Sequence, residues 1–299
     1  MTSNTTRHAP YGQVLTAMVT PFETSGAIDF ERLARLSQYL ISNGSDGLVA
    51  TGTTGESPTL SSSETVAVWR GVVDAVDGKV PVLAGTGTND TAHTIEMSAA
   101  AAEQGVDAVL VVSPYYNRPD QRGLFAHFTA IADACDVPVV LYNIPGRTAC
   151  LIEVETLVRL AEHPNIIGVK DAVDDPSFSK RALAAQPADF AVYSGSDDLT
   201  LELMASGAVG VISVASHLIG RQIAEMTSMV GVDLSAAREL EARLRRVFKA
   251  CFAEPSPQPL KGAMNVLWEQ VGDPRLPLVP AEQNTIESLV GEVRRVRQG

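Results

Sequence analysis

The chain has 299 residues, of which 45% are hydrophobic and 19% are charged, a composition that supports a large core and excludes wholesale disorder. The formal net charge of −12 argues against nucleic acid as a partner, because neutralising phosphates requires a basic face. The sequence contains no apolar run near the roughly 18 residues that a transmembrane helix requires.

The first dozen residues are polar and lack the apolar core of a signal peptide. We therefore expect residues 1–11 to form a flexible N-terminal tail, and we expect no secretion. The three cysteines, Cys135, Cys150 and Cys251, lie far apart in the chain. Reduced thiols and a cytoplasmic location are the prediction.

Short apolar runs rich in β-branched residues recur along the chain. Because each run is continuously apolar, it is typical of a strand buried on both faces of a parallel sheet. The eight predicted strands lie near residues 14–20, 46–50, 80–85, 107–113, 137–143, 166–171, 190–195 and 208–213.

Helical patterns lie between the strands, for example over residues 29–43, where leucines recur at helical spacing. Ser61 and Glu64 form an S-x-x-E capping box that predicts the start of a helix over 61–77. Gly44, Gly105 and Gly207 stand where helices would end in a left-handed C-cap. Eight such βα units favour a closed (β/α)₈ TIM barrel, with a doubly wound open sheet as the alternative.

Strand signals stop after about residue 215, and amphipathic patterns continue near 216–231, 234–252, 257–270 and 280–297. The proline-rich segment 254–260 predicts a joint between two of these helices. We expect a barrel domain over residues 12–233 and a C-terminal α-helical domain over 234–299.

Function in such a barrel collects at the carboxyl ends of the strands. The turn G-T-T-G-E-S at 52–57 has glycines that expose backbone N–H groups beside hydroxyls, a natural cradle for a carboxylate, or is an ordinary loop. Y-Y-N at 115–117 supplies packing residues or proton donors. Y-N-I-P-G-R-T at 142–148 places a phenol near Arg147, which could bind an anion or a surface carboxylate.

The sixth strand, I-I-G-V-K-D at 166–171, ends in a lysine. Lysine is rarely buried without a reason, and desolvation favours its neutral amine, which can form a Schiff base with a carbonyl. The alternative for Lys170 is pairing with Asp171 or pointing outward. The other four lysines, in turn-like or helical segments, invite no such interpretation. The five histidines show no metal-ligand spacing, so we expect no metal site.

The motifs at 52–57, 115–117, 142–148 and 168–171, in this order, resemble those of the dihydrodipicolinate synthase family. The resemblance extends from about residue 12 to the C-terminus. It implies a Schiff-base-forming lyase without a cofactor, condensing pyruvate with L-aspartate-4-semialdehyde in the diaminopimelate route to lysine. It also implies a homo-oligomer, commonly a tetramer built as a dimer of dimers.

The resemblance also implies a role for each matching residue. Lys170 forms the Schiff base, and Thr53, Tyr142 and Tyr116 form a hydroxyl relay, with Tyr116 reaching in from a neighbouring subunit. The remaining implied residues bind substrate: Thr53 and Thr54 the pyruvate carboxylate, Arg147 the semialdehyde carboxylate, and Gly195 and Ile212 the pyruvate pocket through their backbone.

Other pyruvate-dependent class I aldolases, such as N-acetylneuraminate lyase and keto-deoxy sugar acid aldolases, are the alternatives. Arg147 favours the semialdehyde, because a small carboxylated aldehyde needs an anion clamp and a sugar needs hydroxyl partners. A catalytically idle keto-acid sensor on the same fold is a further alternative, which Lys170, Tyr142 and Thr53 disfavour.

The chain departs from the pattern of lysine-inhibited family members at their allosteric pocket. Pro58, Ser62 and Thr65 stand in the stretch where histidines are common, and His93 replaces a glutamate. Asn89 and Tyr115 match. Since the lost carboxylate would bind an ammonium group, weak or absent feedback by lysine is the prediction.

Overall fold

The structure, a computed structural model, describes residues 8–298. Of the predicted N-terminal tail, residues 1–7 lie outside the described part. Within residues 8–298, no helix combines the length and apolar character needed to cross a bilayer.

All eight predicted strands are present, each at the predicted place in the chain. They are parallel, pair in sequence order and close when β8 pairs with β1, so the (β/α)₈ barrel is confirmed and the open sheet is excluded. The strands are β1 (Val14–Ala17), β2 (Gly47–Ala50), β3 (Val82–Gly85), β4 (Ala108–Val112), β5 (Val139–Asn143), β6 (Ile166–Asp171), β7 (Ala191–Ser194) and β8 (Gly210–Ser213).

Twelve α-helices occur in the described part of the chain. They are α1 (Phe30–Ser42), α2 (Ser62–Val76), α3 (Thr91–Glu103), α4 (Gln121–Ala134), α5 (Pro145–Thr148), α6 (Val154–Leu160), α7 (Pro176–Ala185), α8 (Thr200–Met204), α9 (Ser216–Ser228), α10 (Leu234–Ala250), α11 (Gln258–Leu267) and α12 (Gln283–Gln298).

The continuous apolar runs are explained by two separate cores. Alternate strand residues point into the barrel, where Leu15 and Val49 belong to one cluster of buried side chains. Their neighbours Val14 and Leu48 point outward into a larger cluster between the strands and the helices. Since both faces of each strand are buried, no polar alternation is needed.

Local signals set the helix ends. The Ser61 hydroxyl accepts from the Glu64 N–H while the Glu64 carboxylate accepts from the Ser61 N–H, so the predicted capping box is present. Gly44, Gly105 and Gly207 have φ values of 95°, 80° and 109°, the left-handed conformation expected after a helix.

The C-terminal helices α10, α11 and α12 all pack against the barrel helix α9. The α12 residue Arg297 donates to the Leu218 carbonyl at 2.7 Å. Residues 251–257 separate α10 from α11, so the joint predicted at 254–260 overlaps this connection and its last three residues belong to α11. Whether residues 12–233 and 234–299 are separate domains remains a prediction.

Candidate active site

The Lys170 amine lies at the carboxyl end of β6, where its neighbours in the sheet are Tyr142 of β5 and Tyr193 of β7. The side chain is only 5% exposed. Burial lowers the pKa of Lys170 to about 8; the negative charge of Asp197 opposes this shift and the positive charge of Arg147 adds to it. A substantial neutral fraction near neutral pH is the property that a Schiff-base lysine needs.

Tyr142 provides the surface over which this amine lies. Lys170 Nζ is 4.4 Å from the centroid of the Tyr142 ring. Burial raises the pKa of Tyr142 to about 12, while the charge of Arg147 and the Thr53 hydroxyl, which interacts with the phenol, partly oppose the shift. The phenol is therefore protonated at neutral pH and can donate a proton to a neighbouring oxygen.

The turn 51–57 after β2 carries Thr53 and Thr54. Trp69 Nε1 donates to the Thr51 hydroxyl at 2.6 Å, and that hydroxyl donates to the Gly85 carbonyl at 3.0 Å. Thr54 is 5% exposed. The Thr53 hydroxyl interacts with the Tyr142 phenol.

Arg147 belongs to the short helix α5, which Pro145 begins. Buried Asn143, the last residue of β5, ties the end of this loop to the strand, since its amide donates to the Ile152 carbonyl at 3.1 Å and its side-chain oxygen accepts from the Ile152 N–H at 3.0 Å. The guanidinium is exposed, but its charge acts on both Lys170 and Tyr142.

Tyr116 is the candidate that one chain does not bring to the others. It has φ of 74° and is 90% exposed, while Tyr142 is buried in the inner barrel cluster. Neighbouring Asn117 anchors the segment, because its side-chain amide donates to the Asn89 carbonyl at 2.8 Å. An ordered backbone thus presents a solvated phenol.

Gly195 and Ile212 lie at the ends of the two strands that follow β6. The Gly195 N–H donates to the Asp171 carbonyl at 2.6 Å, and a Cβ at Gly195 would stand only 2.7 Å from the Ala172 Cβ. Ile212 is 1% exposed and joins the inner barrel cluster. At position 195, only glycine allows the chain after β7 to approach the chain after β6 this closely.

Sequence reasoning missed Asp197. This carboxylate is 4% exposed and accepts from the Ser213 hydroxyl at 2.5 Å and from the Val214 and Ala215 N–H groups at 3.1 and 3.0 Å. Burial raises its pKa, and the hydrogen bonds and Lys170 oppose that rise. An acidic residue soon after the seventh strand was the available signal. The sequence does not show whether that side chain points into the barrel or out to solvent.

One of the other four lysines is also buried, although it lies in a helical segment as the sequence predicts. Lys261 in α11 is 1% exposed, and burial lowers its pKa while Glu56 opposes that shift. A helical lysine can hide its amine where a second layer of structure covers it, which the helical pattern alone does not reveal. In the described part of the chain, no group of three His, Cys, Asp or Glu side chains is placed to hold a metal ion.

The arrangement combines a partly neutral amine, a protonated phenol, a hydroxyl and a guanidinium at one end of a barrel. A keto acid could be captured by the amine, with protons supplied by the phenol and the carboxylate bound at the hydroxyl-bearing turn. Arg147 could bind a second anionic reactant at the entrance.

Comparison with known proteins agrees with this chemistry. The model of the dihydrodipicolinate synthetase family matches residues 10–295. The 4-hydroxy-tetrahydrodipicolinate synthase of Thermosynechococcus vestitus is 48% identical over 93% of this chain and 95% of its own length, and that of Bacillus subtilis is 44% identical over 95% and 99%.

Solved structures agree as well. The dihydrodipicolinate synthase of Bacillus anthracis superposes with a TM-score of 0.93 at 46% identity, covering 96% of this chain and 99% of that one. The enzyme of Thermotoga maritima gives a TM-score of 0.94 at 38% identity, over 97% and 99%.

Proposed function

Since the chain belongs to the dihydrodipicolinate synthetase family, we infer that its barrel mouth is the active site of a 4-hydroxy-tetrahydrodipicolinate synthase. The enzyme is a Schiff-base-forming lyase that condenses pyruvate with L-aspartate-4-semialdehyde in lysine biosynthesis. The observation that carries the site assignment is the buried Lys170 amine held over Tyr142.

The first step is attack of neutral Lys170 on the pyruvate ketone. With a pKa of about 8, roughly one amine in ten is neutral at pH 7, far more than for an ordinary lysine. The phenol of Tyr142 donates a proton to the ketone oxygen, water leaves and an iminium forms. Thr53 and Thr54 bind the pyruvate carboxylate through the turn 51–57.

The second step uses the iminium as an electron sink. A methyl proton leaves, the enamine forms, and its carbon attacks the aldehyde of the semialdehyde, whose oxygen takes up a proton. Arg147 binds the semialdehyde carboxylate at the entrance. The substrate amine then attacks the imine carbon, which closes the ring and releases Lys170. Hydroxyl groups move these protons without a charged base in a buried pocket.

Tyr116 completes the relay from a neighbouring subunit in this proposal. Its 90% exposure supports such a role, because a phenol turned away from its own barrel is free to enter a partner's. A homotetramer built as a dimer of dimers supplies this contact.

The buried free thiols of Cys135, Cys150 and Cys251 support a reducing, cytoplasmic location.

Borohydride reduction in the presence of pyruvate tests the proposal. Mass spectrometry should locate one reduced pyruvate adduct on Lys170, and an adduct elsewhere, or none, would overturn the site. A coupled assay comparing aspartate semialdehyde with N-acetylmannosamine separates this function from that of an N-acetylneuraminate lyase.

A further inference from the structure

The turn 51–57 holds two non-glycine residues in the left-handed region, Thr51 at φ 52° and Glu56 at φ 58°. Residues with a Cβ adopt this conformation only where their surroundings impose it. Trp69 restrains the first end of the turn, through its hydrogen bond to Thr51. The second end requires a comparable restraint at Glu56.

The Glu56 carboxylate is held from the C-terminal part of the chain. It is 2% exposed, and Lys261 Nζ of α11 lies 2.6 Å from its Oε1. The Arg275 backbone N–H donates to Oε2 at 2.8 Å. Both carboxylate oxygens thus bind groups that follow the barrel in sequence.

The Lys261 ammonium is itself held in one place. Its Nζ lies 4.1 Å from the centroid of the Phe22 ring and donates to the Asp273 carbonyl at 3.4 Å. The Arg275 guanidinium also lies over this ring, 4.4 Å from its centroid. The position of Glu56 is therefore determined by a packed group that includes the segment after β1 and the C-terminal helices.

Hydrogen bonds within the turn 51–57 connect Glu56 to Thr53. The Glu56 N–H donates to the Thr53 carbonyl at 3.1 Å, and the Gly55 N–H donates to the Gly52 carbonyl at 3.0 Å. The Thr20 hydroxyl donates to the Gly55 carbonyl at 2.7 Å. Moving Glu56 would therefore move Thr53, whose hydroxyl interacts with Tyr142.

Stability alone is a weak reason for this ion pair. Removing two charges from water costs about as much as their attraction returns, so an apolar pair of similar volume often serves folding equally well. A buried charged pair does constrain geometry, because a charge that loses contact with its partner is left buried and unpaired.

We propose that Glu56 and Lys261 are positioning residues that hold Thr53 and Thr54 against the pyruvate carboxylate, so that the C-terminal helices set the affinity for pyruvate. This inference rests on the proposed function. Loss of the pair should therefore weaken the binding of pyruvate. It should have little effect on the binding of the semialdehyde, which is expected to bind at Arg147.

The test uses the full-length double variant Glu56→Gln/Lys261→Met, which leaves no single buried charge and keeps an acceptor for the Arg275 N–H. The pyruvate concentration for half-maximal borohydride trapping should rise at least tenfold, as should KM for pyruvate. KM for the semialdehyde should change less than twofold. Lys249→Met, at an exposed lysine of α10, is the matched control and should equal the wild type.

A folded double variant that traps pyruvate at the wild-type concentration would overturn the proposal. If the double variant is recovered unfolded, Phe22→Leu decides, since it keeps both charges of the pair and removes the ring beneath Lys261 and Arg275. It should raise the half-maximal pyruvate concentration two- to fivefold, and a wild-type value would again overturn the proposal. Failure of the wild type to trap pyruvate would instead refute the proposed function.

Discussion

Lys170 and Tyr142 are direct partners on neighbouring strands β6 and β5, and the Lys170 Nζ lies 4.4 Å from the centroid of the Tyr142 ring. Burial acts on the two groups in opposite directions, lowering the pKa of the amine to about 8 and raising that of the phenol to about 12. Both shifts favour the neutral form, so burial prepares a nucleophile and a proton donor at the same place.

Lys170 and Arg147 are expected to have separable roles. Lys170→Ala should lose pyruvate trapping completely. Arg147→Ala should keep trapping and lose about 10- to 150-fold in kcat/KM for the semialdehyde, the equivalent of roughly 1.5–3 kcal/mol for hydrogen bonds to a charged group. Trapping followed by mass spectrometry and steady-state kinetics measure the two effects. Equal loss of trapping in both variants would contradict this division.

Removing the Tyr142 hydroxyl should slow the chemistry. Tyr142→Phe keeps the ring beneath Lys170 and removes the proton donor, so kcat should fall about 10²- to 10⁴-fold, the usual contribution of a positioned acid or base. The rate of pyruvate trapping should fall as well, because dehydration to the iminium needs the same proton. Tyr39→Phe, at a tyrosine on α1 outside the strand ends, is the control. A kcat within twofold of wild type for Tyr142→Phe would exclude the role.

The buried carboxylate of Asp197 should control the pH dependence of trapping. Its charge favours the Lys170 ammonium, so its removal in Asp197→Asn should lower the Lys170 pKa below about 8. The trapping rate, which rises with pH as the amine loses its proton, should then reach its plateau at lower pH.

The control for Asp197 is its exposed neighbour Asp198, which accepts from the Ser196 hydroxyl at 2.8 Å. Asp198→Asn should leave the pH profile unchanged. If the profiles of Asp197→Asn and the wild type coincide, the electrostatic link to Lys170 does not exist.

His217 should make the protein less stable in acid. The residue is fully buried; its Nε2 accepts from the Val19 N–H at 3.1 Å, and its Nδ1 lies 2.9 Å from the Val214 carbonyl, so the ring is neutral. Burial lowers its pKa to about 4 from an ordinary 6.5, and the bond to Val214 opposes the shift. The unfolded state thus binds the extra proton between these values, and stability falls as pH falls from 6.5 towards 4.

From these two pKa values, His217 alone should account for roughly 2 kcal/mol of stability lost between pH 7 and pH 5. Urea unfolding at both pH values measures the loss. His217→Asn should reduce the pH dependence of stability, although it also lowers stability at pH 7. The control is His93→Asn, at a half-exposed residue, which should leave the pH dependence as in the wild type. An unchanged pH dependence in His217→Asn would show that other groups are responsible.

Feedback inhibition by lysine should be weak or absent. His93, which stands where a glutamate is expected, lies on α3 with its Nδ1 3.5 Å from the Glu96 carboxylate, and its side chain is 43% exposed. Unlike a carboxylate, an imidazole carries no negative charge to pair with an ammonium group. Initial rates over a range of lysine concentrations measure the effect, and strong inhibition at sub-millimolar lysine would contradict the prediction.

The eight strands and the helix ends were predictable because their signals are local. Apolar runs, the Ser61–Glu64 capping box and the glycines after helices act over a few residues, so they survive without knowledge of the fold. The strand-end positions of Lys170 and Tyr142 followed from the same patterns. The outward direction of Tyr116 did not follow from these local patterns, only from the resemblance, because it depends on a backbone at φ 74°.

The sequence by itself determined the barrel, the lysine at the end of its sixth strand and the family to which the motifs belong. Only the tertiary structure decided that Asp197 acts on Lys170, and that Glu56 and Lys261, remote in the chain, meet at 2.6 Å. The physical reason is that burial and charge act through space: a side chain's pKa and partners depend on every element packed around it, whereas a periodic pattern records only its own strand or helix.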